Sequence, residues 1–239
     1  VVPCNWQGGL EKEWYYKHFK PDIVIGIGYW GYIPDIVLHP AKFNIIAIPW
    51  LVADGWIANY HDILSSLPLV FVTSEWVKET YARDGVNTKN FETLPIGFDP
   101  NLYKPIAKND YRIKKIRQLL RVADDEVMIL TVGGDVTSKG SQEVLQALKI
   151  VDKQFKKWKY VCKTWTSESA YNHHKEEMRL IDNLALPKNR IIFLEGSYSR
   201  QFMSYLLNSC DIYAAPSRVE GFGLLQLEAQ ACGIPVISI

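Results

Sequence analysis

Charge of one sign is what this chain most lacks. Its 27 basic and 26 acidic side chains leave a formal net charge of +1 over 239 residues. Bulk electrostatic attraction to nucleic acid is thereby excluded, and no nucleic-acid partner is expected. Cysteine is sparse. Cys4, Cys162, Cys210 and Cys232 lie far apart and form no CxxC pair, so neither a zinc nor a redox motif is indicated, and a reducing compartment is the expectation. Cys210 and Cys232 sit among apolar residues and read as small core side chains. No His/Asp/Glu spacing suggests a metal site. No apolar run reaches the length that spans a bilayer, and no secretory leader is visible. These absences lead to the expectation of a cytoplasmic protein, with peripheral membrane contact left open.

What is present is the material of a packed core. Hydrophobic residues make up 48% of the chain and charged residues 22%, which argues for one large or two small domains and against disorder. Eight tryptophans and thirteen tyrosines are first of all core material, although some could contact carbohydrate. The chain has no initiator Met and stops at Ile239 on an apolar strand. A parallel strand needs a following element to cover it, so the expectation is a piece of a longer protein.

Strand and helix patterns alternate along the chain. Strands are predicted over Lys20–Ile27, Asn44–Pro49 and Leu69–Thr73, a helix over Glu75–Arg83, and a short strand with a turn over Leu94–Asp99. Residues 99–111 are polar and contain Pro100 and Pro105, and read as a linker. The alternation then restarts: a strand over Val127–Val132, a helix over Gln142–Lys157, a strand over Lys159–Trp165, a helix over Ser167–Leu184, a strand over Arg190–Leu194 and a helix over Arg200–Asn208. The pattern defines an α/β protein with parallel pairing.

The segment from Pro216 to Ile239, PSRVEGFGLLQLEAQACGIPVISI, carries most of the chemistry. A strand over Asp211–Ala215 leads into the turn SRVEGFG and then a helix from about Gly223 to Cys232, which Gly233 can end in a left-handed conformation. Glu220 and Glu228 are eight positions apart across this junction. Gly221 and Gly223 remove side chains where backbone must approach a ligand, and the first helical turn leaves N–H groups for an anion. Two carboxylates beside an anion site suggest a ligand with both hydroxyls and phosphates, a nucleotide sugar. A second anion site is the loop TVGGDVTSKG, Thr131 to Gly140. Gly133 and Gly134 allow close backbone approach there, and the Lys139 ammonium suits a diphosphate.

The order of strand, PS, EGFG, second Glu, small residues and GIPV closely resembles the E-x7-E motif of retaining glycosyltransferases of the GT-B fold, family 4. That resemblance implies two Rossmann-like domains facing a cleft, here 1–105 on the acceptor side and 106–239 on the donor side, both incomplete at the chain ends. The phrase LPIGFDPNLYKP resembles the family's crossover between them. It implies retaining transfer of a hexose from a nucleoside diphosphate sugar to a carbohydrate, lipid or protein hydroxyl, with no metal or cofactor. Glu220 would hold the donor sugar, Glu228 the ribose and Lys139 the leaving diphosphate. Backbone around Gly221, Phe222, Gly223, Leu224 and Leu225 would face sugar and phosphate, and Tyr198 would lie near the base. The family commonly has Arg where this chain has Gly134, and Lys163 and Arg218 are candidates for the missing charge. Asp54 stands near the family's His-containing loop and could orient a hydroxyl, or form an ordinary Asp-Gly turn.

Other readings stay open at this level. A non-catalytic nucleotide-sugar-binding subunit or a GT-B sugar-nucleotide epimerase would use the same donor groups. GIGYWG, Gly26 to Gly31, formally matches the dinucleotide fingerprint G-x-G-x-x-G. However, Tyr29 to Pro34 does not look like a helix start, and the next strand ends without an acidic residue for a ribose. A loop lining the acceptor side is the preferred reading.

Overall fold

Among the described residues, short aliphatic runs bounded by Gly, Pro and Asp form nine parallel strands, in two separate sheets. The computed structural model of the chain describes residues 9–52, 55–133, 137–164 and 174–239. It divides into two compact units, Val1–Ile96 and Gly97–Ile239.

The first unit orders its strands β1 (Ile23–Gly28), β2 (Ile46–Leu51), β3 (Val70–Val72) and β4 (Phe91–Thr93) side by side in chain order. Its helices are α1 (Gly9–Phe19), α2 (His39–Ala41), α3 (His61–Ser66) and α4 (Glu75–Arg83). The limits of α4 follow from its cap: Ser74 Oγ accepts from the Val77 N–H at 3.3 Å, which satisfies one of the four orphan donors of a helix start. Val77 and Tyr81, four apart and so on one face, are buried against Val70, Val72 and Phe91. The strand predicted over Leu94–Asp99 is not formed. The Leu94 N–H still donates to the Val72 carbonyl at 2.8 Å, but the Leu94 carbonyl is taken by Trp50 Nε1 at 2.9 Å, and Pro95 has no N–H to continue the ladder. The strand here is Phe91–Thr93 instead.

The second unit orders its sheet β7 (Ile191–Leu194), β6 (Trp158–Lys163), β5 (Val127–Val132), β8 (Ile212–Ala215), β9 (Val236–Ser238). Helices α5 (Tyr111–Leu119), α6 (Ser141–Val151), α7 (His174–Asn183), α8 (Arg200–Ser209) and α9 (Leu224–Ala231) complete it. Successive side chains of a strand face opposite ways, and β5 serves a core on each face. Met128, Leu130 and Val132 pack with Ile116, Leu206, Leu207 and Ala229 of α5, α8 and α9. Ile129 packs with Val144, Leu145, Leu148 and Ile181 of α6 and α7. Helices on both faces of a parallel sheet make this a doubly wound, Rossmann-like unit.

Two predicted boundaries move for identifiable reasons. Helix α6 ends at Val151 rather than Lys157. The Asp152 carboxylate accepts from Trp158 Nε1 at 3.1 Å and from Arg190 at 2.9 Å, and so turns the chain into β6. Val151 and Phe155 are consequently 39% and 40% exposed, not members of the core stripe. The stretch read as a linker lies within the second unit: Leu102 and Tyr103 pack in its core. Cys162, Cys210 and Cys232 are buried thiols, and burial pushes the Cys210 thiol up to about 12. Among the described residues, no helix is long and apolar enough to cross a membrane.

Helix α8 carries a checkable cap. Ser199 Oγ accepts from the Phe202 N–H at 3.2 Å. Ser199→Ala is expected to lower unfolding stability by about 1 kcal/mol, the usual worth of a Ser cap. Denaturant titration measures it, and an unchanged midpoint would show the cap to be idle.

Candidate donor site at the sheet switch point

The strand order of the second unit reverses direction between β5 and β8. Crevices at the carboxyl ends of such a strand pair are where open α/β sheets hold ligands. The loop after β5 carries Lys139 and the loop after β8 carries Glu220. The two are brought together: Lys139 Nζ donates to Glu220 Oε1 at 2.8 Å. Eighty-one residues of chain separate them, so the contact is a product of the topology.

The loops are fitted to each other. Thr131 Oγ1 donates to the Ala214 carbonyl at 2.7 Å across β5 and β8. The Arg218 N–H donates to the Ser138 carbonyl at 2.8 Å. Gly140 has φ +78°, and a Cβ there would stand 2.3 Å from the Pro216 carbonyl oxygen. Only glycine permits both that dihedral and that approach. Gly133, with φ +90°, donates its N–H to the Lys163 carbonyl at 2.9 Å.

Helix starts differ around this sheet. Asp110 caps α5 and Ser199 caps α8 through side-chain oxygens. By contrast the cap position is Gly140 for α6 and Gly223 for α9, with no side-chain cap on either. These are the two helices that follow β5 and β8. Their first-turn N–H groups and positive dipole ends are therefore available to an anion at the switch point.

The carboxylates occupy unlike environments. Burial by itself raises the Glu220 carboxyl, but the Lys139 ion pair, with hydrogen bonds from Ser217 and Gln226, brings it below the usual carboxylate range. Glu228 is 5% exposed. Burial raises its carboxyl above that range, against hydrogen bonding from Tyr103 and the charge of Arg200. Glu220 is thus a paired anion at the site's centre, and Glu228 a buried acceptor two helical turns further on.

Other residues expected at the site are dispersed. Arg218 is paired with Glu143 in the first turn of α6 and is 56% exposed on its side chain. Lys163 ends β6, beside the Gly133 loop, with its ammonium pKa lowered by burial. Leu225 packs against the core cluster of α8 and β8, and Leu224 opens α9 on its exposed side. Phe222 and Gly221 lie in the turn before α9. Tyr198 follows β7, two strands away from β5, where its hydroxyl donates to the Glu195 carbonyl at 2.7 Å and its ring stacks on Phe202. Gly134 and Asp54 lie outside the described residues.

Sequence reasoning missed three side chains here. Gln226 Nε2 donates to Glu220 Oε1 at 3.3 Å; its position six residues after Glu220, in the first turn of α9, was the available signal. Tyr103 and Arg200, from distant chain positions, act on the Glu228 carboxyl against its burial, and no local pattern marks them. In the first unit, the end of GIGYWG and the following Tyr32 form one 3-10 turn, Trp30–Tyr32, and not a phosphate-binding helix. A Cβ at Gly26 would stand 2.4 Å from Ile36 Cβ, so this glycine admits the π-helical turn Pro34–Leu38 onto β1.

Two α/β units with parallel sheets, and a cation–carboxylate pair at the switch point of the second, define a GT-B architecture. The model of the family described as "Glycosyl transferases group 1" matches residues 112–239, and the chain belongs to that family. Among curated relatives, D-inositol 3-phosphate glycosyltransferase of Xylanimonas cellulosilytica is 24% identical over 177 residues, covering 74% of this chain and 41% of the relative. The GDP-mannose-dependent monoacylated alpha-(1-6)-phosphatidylinositol monomannoside mannosyltransferase of Corynebacterium glutamicum is 24% identical over 199 residues, covering 80% and 49%. The chain spans less than half the length of these relatives. Among solved structures, Anabaena Alr3699/HepE in complex with UDP and glucose has a TM-score of 0.79 at 20% identity, covering 97% of this chain and 62% of that one. Sucrose-phosphate synthase of Thermosynechococcus elongatus has a TM-score of 0.75 at 21% identity, covering 95% and 58%.

Proposed function

We propose that this chain forms the donor-binding part of a glycosyltransferase that moves a sugar from a nucleoside diphosphate sugar to a hydroxyl acceptor with retention of anomeric configuration. The observation that carries the reading is the Lys139–Glu220 contact at the switch point, between two uncapped helix starts and ahead of the buried Glu228. The relatives' names support it, since they are sugar transferases and one is dependent on GDP-mannose. A neighbouring structure holds UDP and glucose.

In this reaction the anomeric carbon–oxygen bond to the diphosphate breaks, and the acceptor oxygen bonds to the same carbon on the same face. The acceptor proton passes to the departing phosphate oxygen. Negative charge grows on the diphosphate as the bond breaks. Lys139 and the N–H groups opening α6 and α9 stabilise that growth, and they do so more in the transition state than in the ground state. Glu220 accepts from sugar hydroxyls and fixes the orientation of the anomeric carbon. Glu228 accepts from the ribose hydroxyls. No protein nucleophile is assigned; a metal and a cofactor are likewise not invoked. The acceptor is a carbohydrate, lipid or protein hydroxyl, and a lipid acceptor would bring the protein to a membrane surface.

Thermal unfolding of the full-length protein with a panel of nucleotide sugars tests the reading. A ligand at ten times its Kd stabilises by about 1.4 kcal/mol through mass action, or roughly 3–6 °C in Tm for a chain of this size. Donor turnover then decides between transfer and the two alternatives. A binding subunit would show the Tm shift without turnover, and an epimerase would convert donor with no acceptor present. No shift with any nucleotide sugar or nucleoside diphosphate would overturn the reading.

A further inference from the structure

Two donors meet on one oxygen of Glu220. Lys139 Nζ reaches Oε1 at 2.8 Å, and Gln226 Nε2 reaches the same atom at 3.3 Å. Their supports differ. Lys139 ends a single 3-10 turn, Thr137–Lys139, in the loop after β5, and it extends on a flexible four-carbon stem. Gln226 stands in the first turn of α9, and that helix is anchored in the core by Leu225 and Ala229, with Leu206 and Leu207 of α8 in the same cluster. The amide is therefore carried by a fixed element.

A Gln at the third position of a helix commonly turns its side chain back towards the N–H of the cap residue. Here the side chain turns back over Gly223, and its amide N–H goes to Glu220. The bend is tight. A Cβ at Gly223 would stand 3.3 Å from Gln226 Oε1 and 3.4 Å from its Cδ. Gly223 has φ +81°, a conformation that itself favours glycine, and the missing Cβ gives the amide its path to the carboxylate.

We propose that Gln226 is a positioning residue for Glu220, holding the carboxylate towards the donor sugar while the diphosphate draws Lys139 off it. This role rests on the reading of Glu220 as the acceptor of sugar hydroxyls and of Lys139 as the diphosphate ligand. On that reading the ion pair loosens whenever donor binds, because the ammonium is then shared with the phosphates. A neutral amide offers no charge for the diphosphate to draw on, so Gln226 stays with the carboxylate. Without it, Glu220 would turn about its side-chain bonds just when the sugar is in place, and small misplacements at a reacting centre cost rate. The two partners thus divide the work. Lys139 contributes to holding the donor, and Gln226 to how the sugar lies.

Turnover of UDP-glucose and GDP-mannose by the full-length protein, read as release of UDP or GDP, tests the role alongside calorimetric affinity for the bare nucleotides. Gln226→Leu keeps the bulk and removes the donor. It is expected to lower kcat roughly 2- to 10-fold, the scale of one hydrogen bond, with UDP and GDP affinity unchanged. Gln226→Glu is nearly isosteric but sets a second carboxylate against Glu220, so kcat should fall further than in Gln226→Leu. A role confined to the helix predicts the reverse, because an acidic side chain in the first turn stabilises a helix. In a Glu220→Ala background, Gln226→Leu should cost nothing more. If the parent turns over neither donor, or Glu220→Ala turns over like the parent, the reading of Glu220 fails and this role falls with it. If Glu220→Ala slows turnover and Gln226→Leu does not, that reading stands and the positioning role is wrong. Equal losses of nucleotide affinity and kcat in Gln226→Leu, faster turnover in Gln226→Glu than in Gln226→Leu, or a further loss from Gln226→Leu in the Glu220→Ala background likewise overturns the role.

Discussion

Replacing Glu220 with Ala is expected to reduce sugar transfer about 100-fold, the scale on which misplacing a reacting centre costs rate, while affinity for the bare nucleoside diphosphate stays equal or becomes tighter. The second half follows from the ligand-free geometry. Lys139 donates to Glu220 at 2.8 Å, so an incoming diphosphate competes with a resident carboxylate for that ammonium. Removing the carboxylate removes the competitor. Glu228→Ala should behave in the opposite sense and weaken the bare diphosphate, since the ribose is present with or without the sugar. The measurement is paired, with calorimetry on the diphosphate and turnover on the full donor. Equal loss of diphosphate affinity in both variants, or unchanged turnover in Glu220→Ala, would refute the division of labour between the two carboxylates.

Lys139→Ala is expected to weaken nucleoside diphosphate binding roughly 10- to 150-fold, from the loss of a charge-assisted contact worth about 1.5–3 kcal/mol. Transfer should fall at least as far, because charge on the leaving diphosphate is greatest in the transition state. Two effects combine. The phosphate loses a cation, and Glu220 loses the partner that offsets its burial, so its carboxyl rises from its lowered position. At neutral pH the unpaired carboxylate also repels the ligand. The double variant Lys139→Ala/Glu220→Ala should therefore recover part of the diphosphate affinity, which a double-mutant cycle reads directly. Additive losses across the cycle would mean that the two side chains do not meet in the working protein, and unchanged affinity and turnover in the single variant would remove Lys139 from the site.

Elements with purely local causes were legible. Helix α4 runs from Glu75 to Arg83 as predicted, because Ser74 announces its start and Gly85 follows its end. Strand β5 spans Val127–Val132 as predicted, a run apolar but for Thr131 between Glu126 and Gly133. The turn from Pro216 into α9 was legible for the same reason, including the left-handed Gly233 with φ +75°. What escaped depends on residues far apart in the chain. Helix α6 stops early because Asp152 is claimed by Trp158 and Arg190, the second thirty-eight positions away. Arg218 was a plausible phosphate ligand by sequence position, but Glu143, seventy-five residues upstream, holds it in the structure. Tyr103 lay in a stretch whose prolines read as a linker, and only the fold shows Ser204 and Asn208 binding that backbone.

The Lys139–Glu220 contact has a consequence for selectivity. A carboxylate tethered beside an ammonium competes at a fixed, high effective concentration that no change of solution dilutes. A small free anion such as inorganic phosphate must displace it with nothing else to hold on to. On the proposed reading a nucleoside diphosphate is different, because its ribose is already anchored near Glu228 and its phosphates then compete from within the site. The resting ion pair sets a threshold that only a ligand with two attachment points crosses, and it does so with side chains the chemistry needs in any case.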